Sequence, residues 1–409
     1  MEDFTRSAER QLGDFGQTAF FLGDGLQRAG IDAFFELFSV QNLNPYTAAK
    51  KSASIISDMF RATQFLVPNT DSGIQWTEIR NKLEVFVLVR NLSGVMGLSR
   101  NDQSSLADLV NRAYLLSPFK ALWAVEGVGH YYADRVWDIE GAPQALLSQR
   151  NDLPTKSLLM LHAGMGLAFA DRILGNLHSQ SSGTEFRTGL EQFCRLCSAN
   201  SIPGYTGAAL ESFGLVTREF YPELIPMVNP VLTDLDPEFA DYFWHGIGRA
   251  LYFSRAYFFP VFGNAWDAIE REPSSEMARR NATAGLAWAV TLVNMRQPLV
   301  MEYILRSLSQ RLPSADAFKN GVGSAVIMRQ DTTPNADFIK AFCLYRIRDC
   351  RCRMNDSWER YIASSCSEGI NQVYPALKER HRLEQLFHVH SDSAFTVFNA
   401  RRIENTTVN

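Results

Sequence analysis

The chain has 409 residues, of which 46% are hydrophobic, 21% charged and 12% aromatic; such a composition buries a large core, as one helical domain or several smaller ones, and excludes wholesale disorder. Its 40 basic and 44 acidic residues leave a formal net charge of −4. With no long run of either sign, nucleic acid and a polybasic membrane contact are excluded as partners.

The opening stretch, MEDFTRSAERQLGDFGQ, lacks the basic and then apolar profile of an export signal, which predicts a cytoplasmic protein with reduced thiols. Two amphipathic segments follow, QTAFFLGDGLQRAGIDAFFELF and, from Pro45, PYTAAKKSASIISDMFRATQFL. LEVFVLVR (Leu83 to Arg90) is apolar on both parities and reads as helix. NLSGVMGLSR (Gly94, Gly97) resembles a degenerate copy of the repeat that comes next. Residues 1–115 are therefore expected to form an N-terminal helical cap.

From 116 to 345 the chain repeats. A Gly-x-Gly element, or a small-residue variant of it, recurs at Gly127, Gly164, Ser212, Gly246, Gly285 and Gly321. The successive intervals are 37, 48, 34, 39 and 36 residues. The long interval is assigned to an insertion in a polar loop, HSQSSGTEF, around Ser182. The expectation is an all-α fold: an array of about six units of roughly 36 residues, closing into an α/α toroid or a tight superhelix. Ser117-Pro118 opens one helical segment and Gly141 and Pro143 close it; Pro154 and Gly175 frame the next. Two glycines in mid-helix cost about 1 kcal/mol each relative to alanine, which implies close approach of a neighbouring helix or a ligand. The longest apolar run, Ala282 to Val293, ends at Asn294 and Arg296. That is short of the roughly 18 residues of a membrane span, so it predicts a buried helix and no integral membrane segment. Residues 346–409 are expected to hold further helices and a polar tail, RRIENTTVN.

The candidate chemistry lies beside the glycines. Glu126, His130 and Asp134 fall at i, i+4 and i+8, on one helical face, near Trp123, Tyr131 and Trp137. Such a stripe suits an acid/base pair, a metal site or a solvated charged face. If the array closes, Glu126, His162, Glu211, His245 and Asn320 point toward one axis, with Trp244 and Tyr252 adding apolar wall. His162 precedes its glycine by two positions instead of one, which turns its side chain by about 100° out of that ring. Asp134-Arg135 and Asp171-Arg172 each lie at the same distance from their glycines and fit salt bridges between neighbouring helices or buried proton donors; the fourth unit keeps Arg255 but has Ser254 in place of the aspartate. Cys194 and Cys197 have C-x-x-C spacing with no second pair at zinc-finger distance, and Cys350 and Cys352 are too close together to serve. Phosphate-loop, His-Glu-x-x-His, Gly-x-Ser-x-Gly and Asp-Asp-x-x-Asp signatures are absent.

In this order, ALWAVEGVGHYYAD, SLLMLHAGMGLAFADRIL, ALESFGLVTREFYPEL, YFWHGIGRALYF and ATAGLAWAVTLV resemble bacterial proteins of unassigned function encoded beside enediyne polyketide synthases and in related natural-product gene clusters. The resemblance spans roughly Phe119 to Phe342 and implies a role in specialised metabolism without supplying a reaction. The third unit departs from it, with SFGLVTREFY where a more histidine-rich element belongs. The expected function is acid/base isomerisation or cyclisation of a hydrophobic polyketide or terpenoid intermediate in a helical lumen, with no cofactor. Glu126, His130, Asp134 and His245 would move protons while Trp123, Tyr131, Trp137, His162, Glu211, Trp244, Tyr252 and Asn320 bind substrate. The alternatives are a metal-dependent oxidative tailoring enzyme and a non-catalytic protein that binds an intermediate or acts as a scaffold; a homo-oligomer is open.

Overall fold

The computed structural model describes residues 71–98, 102–254, 257–258, 265–308, 312, 314–347 and 352–389. The chain divides into two units, Met1–Val67 and Pro68–Asn409, and every described residue belongs to the second. The two leading segments of the expected cap, Arg255, Cys350 and the polar tail lie outside the described residues.

All regular structure among the described residues is helical, with no strand. LEVFVLVR closes α1 (Asp71–Arg90), which is followed by the short α2 (Leu92–Met96) and α3 (Leu106–Tyr114). Six long helices then carry the repeated glycines: α4 (Pro118–Glu140), α5 (Leu158–Leu174), α7 (Thr206–Phe220), α9 (Pro237–Phe253), α11 (Glu276–Asn294) and α13 (Ala315–Thr332). Between them lie α6 (Gly183–Asn200), α8 (Ile225–Leu235), α10 (Ala265–Arg271) and α12 (Pro298–Leu308); α14 (Asp337–Leu344) follows.

The punctuation read from the sequence works locally. Pro118 occupies the first turn of α4, and Gly141 ends it with φ of 83°, a conformation open to glycine at little cost. HSQSSGTEF, expected as a loop, is cut short. Ser182 and Glu185 form a reciprocal capping box, so α6 begins at Gly183 and much of the insertion is helix.

Each of the six long helices packs on the next in chain order, α4 on α5, α5 on α7, and so to α13. Backbone meets backbone at these contacts. A methyl group on Gly164 would overlap the Glu126 carbonyl of α4, and one on Gly214 the Phe243 carbonyl of α9. One on Gly285 would overlap the His245 carbonyl, and one on Gly321 the Ala284 carbonyl. Where the third unit has Ser212 instead of glycine, its hydroxyl donates to the Ala163 carbonyl at 2.8 Å across the same kind of contact. The helix-propensity cost of the glycines is thus offset by the packing they permit.

The last helices also reach the first. Arg329 of α13 donates to the Phe119 carbonyl of α4 at 2.8 Å, and Trp288 of α11 lies edge-on to Trp123 of α4 at 6.4 Å. Helix α1 packs against both α4 and α11. Such close packing has a consequence for the expected lumen. A cavity among the described residues, between α1, α5, α7 and α9, measures about 30 Å3, much less than a lumen for an intermediate.

Thr155–Leu174 is long and apolar enough to cross a membrane, but 83% of it is buried within the protein. It is a core helix here. Beyond α14 the chain forms α15 (Cys352–Trp358), α16 (Ser364–Glu368) and α17 (Tyr374–Glu379), separated by π turns at Glu359–Ala363 and Gly369–Val373. A 3-10 turn, Leu383–Phe387, then brings Phe387 against the long helices.

Candidate functional site

Three of the polar residues that directly precede a small residue in the repeat converge. Glu126 on α4, Glu211 on α7 and His245 on α9 are fully buried, and Arg249, one turn after His245, joins them at 2% exposure. The guanidinium bridges the two carboxylates: Nη1 donates to Glu211 Oε2 at 3.1 Å and Nη2 to Glu126 Oε1. The other Glu211 oxygen lies 3.2 Å from His245 Nδ1. A carboxylate can only accept, so Nδ1 is assigned the proton and Nε2 the free lone pair in the neutral ring.

The surroundings are aromatic. The Trp288 ring lies under Arg249 at 4.9 Å and edge-on to His245 at 6.1 Å. Phe387 closes the other side, 5.8 Å from His245 and 5.9 Å from Trp288. Within this shell Glu126 Oε2, His245 Nε2, Arg249 Nε, Trp123 Nε1 and Trp288 Nε1 are buried without a hydrogen-bond partner among the described residues. Buried polar atoms left unpaired are uncommon, and their clustering makes this the candidate site.

Burial pushes the Glu126 carboxyl above its ordinary pKa, against the pull of Arg249, and Glu211 pushes it further up. Desolvation acts to lower the Arg249 pKa, but the two glutamates outweigh it and hold the guanidinium charged. Burial thus works toward the neutral acid at Glu126, while its partner Arg249 stays a cation. Because Oε1 accepts from Arg249, Oε2 is the oxygen left open to a proton.

The remaining expected site residues go elsewhere. His130 and Asp134 share the α4 face with Glu126 but form a separate group nearer the surface: His130 Nε2 lies 3.3 Å from Asp171 and 3.5 Å from Asp134. Arg172 of α5 reaches back to Asp134 at 3.1 Å and to Asp138 at 2.6 Å, an inter-helix pairing that ties α5 to α4. Eight residues of helix span about 12 Å, so a stripe that starts in the core at Glu126 has left it by Asp134. Tyr131 and Trp137 follow the stripe outward, beside Arg135 at 5.7 Å and Arg172 at 5.9 Å respectively.

His162 is buried but spent on structure. Its Nδ1 meets the Leu158 carbonyl at 2.6 Å, its Nε2 accepts from the Ile202 amide at 3.0 Å, and its ring stacks on Tyr205. Trp244 donates to Asn229 of α8, and Tyr252 accepts from Asn294 beneath the Lys82 ammonium, both away from the centre. Asn320 is buried on α13, next to the Gly321 contact with α11. Among the described residues no group of three His, Cys, Asp or Glu could hold a metal ion. Cys194 and Cys197 are unpaired thiols, and desolvation pushes Cys194 up to about 12 and Cys197 well above its ordinary value.

His162 carries a stability prediction. Desolvation lowers its pKa from 6.5 to about 4. A depressed histidine contributes stability above its unfolded pKa and loses it as pH falls toward the folded one, because the unfolded chain takes the proton first. Unfolding by urea is expected to show about 3 kcal/mol of this loss between pH 6.5 and 4. The drop should be absent in His162→Gln; an equal drop there would assign it to other groups.

Arg249 and Trp288 were not singled out in the sequence, although Arg249 stands one turn after His245 in HGIGR, on the same helical face. Phe387 gives no local signal, since its partners are more than 90 residues distant. Comparison of the chain with protein-family models, with characterised proteins and with solved structures finds no match.

Proposed function

We propose that the protein is a cytoplasmic natural-product biosynthetic enzyme that isomerises or cyclises a hydrophobic polyketide or terpenoid intermediate by acid/base chemistry. One observation carries this reading: a buried carboxyl oxygen, Glu126 Oε2, and a buried imidazole nitrogen, His245 Nε2, both unpartnered, share an aromatic shell. Glu126 gives a proton to the intermediate and His245 Nε2 takes one from it, so the step is proton-neutral overall. Arg249 and Glu211 hold the two in place, and the Trp123 and Trp288 rings give the site an apolar wall. The resemblance of ALWAVEGVGHYYAD and its companion motifs to proteins of natural-product clusters supports the substrate class. The six glycine-bearing helices are proposed as a helical-repeat array closed into a tight toroid; the contacts of α13 and α11 with α4 support that closure.

The centre is closed by Trp288 and Phe387, so an intermediate enters only when these side chains move aside. Turnover of candidate polyketides and terpenoids, followed by mass-neutral product formation, tests the proposal. Glu126→Gln and His245→Gln should each lower the rate by about 10²- to 10⁴-fold in folded protein. Retained turnover in both variants would overturn it.

A second reading is favoured by the small cavity. About 30 Å3 of free space is far below the roughly 300 Å3 of a small-ligand site, as befits a scaffold or carrier that works through its surface. In that case candidate intermediates or partner enzymes bind and nothing is converted.

A further inference from the structure

The cavity lies between two sets of charges, one buried and one that reaches toward the surface. On one side is Arg249 with Glu126, Glu211 and His245. On the other, Arg90 donates to Glu219 Oε2 at 3.2 Å and to Asp171 Oδ2 at 3.1 Å, and that Asp171 oxygen is 3.3 Å from His130 Nε2. Arg90, Glu219 and Arg249 all line the cavity, whose other walls are apolar and include Val89, Leu215 and Phe253.

Its size and its polar walls suit water, and its charge balance suits protons. A site of about 30 Å3 exceeds the roughly 10–15 Å3 that one water requires, and water also needs polar partners. Glu219 Oε1 and Arg249 Nε, each buried and unpartnered among the described residues, belong to residues of its wall.

Four carboxylates, Glu126, Glu211, Glu219 and Asp171, stand against two guanidiniums, Arg90 and Arg249, which leaves two surplus negative charges when both histidines are neutral. Uncompensated charge is expensive in a dry interior, so the surplus is relieved by protons. Burial raises the pKa of both Glu126 and Glu219, against their arginines, whereas at half-exposed Asp171 Arg90 and His130 outweigh desolvation and keep the carboxylate ionised. The two acids whose pKa burial raises therefore belong to the two charge sets that meet at the cavity, one to each.

We propose that the cavity holds water and that His130, Asp171, Glu219 and this water form a proton conduit from the surface to the Glu126–His245 centre. His130, at 15% side-chain exposure, is the exchange group. A proton taken by His130 from solvent passes to Asp171, and through water to Glu219 as the proton of Glu219 moves into the cavity and on to Glu126. Each proton that recharges Glu126 is matched by one that leaves His245 for solvent, so the centre is reset with no net uptake and no electrons move. Arg90 and Arg249 keep their protons and act as positioning residues: Arg90 grips Asp171 and Glu219 with adjacent nitrogens, within the span of one water. Asp134, itself held by Arg172, is the other carboxylate facing His130 and keeps the imidazole oriented.

The purpose of the conduit rests on the acid/base reading of the centre, whereas its test reads proton exchange with no substrate. In full-length protein labelled with 15N-histidine, the exchange of the His245 Nδ1 proton with bulk water is measured by NMR at neutral pH. His130→Asn and Glu219→Gln should each slow it by at least about tenfold, and added imidazole should restore it in His130→Asn. His178→Asn, at an exposed histidine, should leave it unchanged. Unaltered exchange in the first two variants overturns the conduit. A crystal structure of the unmodified chain provides a second arm: ordered water within hydrogen-bond distance of Glu219 Oε1 supports it, and a dry cavity contradicts it. If the exchange arm fails while Glu126→Gln still abolishes turnover, the centre stands and the conduit falls.

Discussion

Arg249→Met is expected to lower the unfolding free energy by about 3–5 kcal/mol. Methionine keeps much of the volume and the contact with Trp288 but removes the cation that lies between Glu126 and Glu211. Glu211 is then a fully buried carboxylate with only the His245 ring beside it. Removing one member of a buried ion group costs more than removing the whole group, because the orphaned charge stays desolvated. The combination Arg249→Met with Glu126→Gln and Glu211→Gln should therefore recover much of the loss. Urea unfolding of both proteins checks this. A loss below about 1 kcal/mol in the single variant would mean that the carboxylates are neutral or hydrated without the arginine.

The second large effect is expected at the helix contacts. Alanine in place of glycine inside a helix ordinarily gains about 1 kcal/mol. At Gly164 and Gly285 the added methyl meets the carbonyls of Glu126 and His245, which belong to neighbouring helices and cannot turn aside as a side chain can. Each substitution should cost about 3 kcal/mol by forcing the helices apart. It also displaces the backbone of Glu126 or His245, so the centre is disturbed along with the fold. Gly189 on α6 serves as the contrast: its methyl would sit 3.4 Å from Leu177 and 3.5 Å from Ile173, both flexible side chains. Gly189→Ala should gain stability. Equal behaviour at the three positions, measured by thermal unfolding, would contradict the role given to the repeated glycines.

The features of the fold that are periodic or local could be read from the sequence. Glycines at near-constant intervals announced backbone contacts, and Pro118 and Gly141 marked the ends of α4. The register of the polar residues was informative for the same reason. Glu126, Glu211 and His245 each stand one residue before a contact residue and meet at the centre, and His162, two before, is turned onto Ile202 and Tyr205; Asn320 shares the first register but stays beside the Gly321 contact. The i, i+4, i+8 stripe was misleading because spacing tells which face a residue occupies but not how deep along the helix the core extends. His130 and Asp134 lie past its edge. Arg249 was hidden by its setting, amid the apolar second half of its helix and with no arginine at the matching position of the other repeats. Trp288 and Phe387 depend on how distant segments meet, for which no local pattern exists.

The reading as an acid/base centre requires that Glu126 carry a proton at neutral pH. Infrared spectroscopy of the protein in D2O detects that directly, as the carbonyl stretch of a protonated carboxylic acid, well separated from carboxylate bands. Spectra of the native chain and of Glu126→Gln, compared at neutral pH, should show such a band in the first and its loss in the second. If the native protein shows no Glu126-dependent acid band, the residue is an ionised partner of Arg249 and the centre is a structural salt bridge.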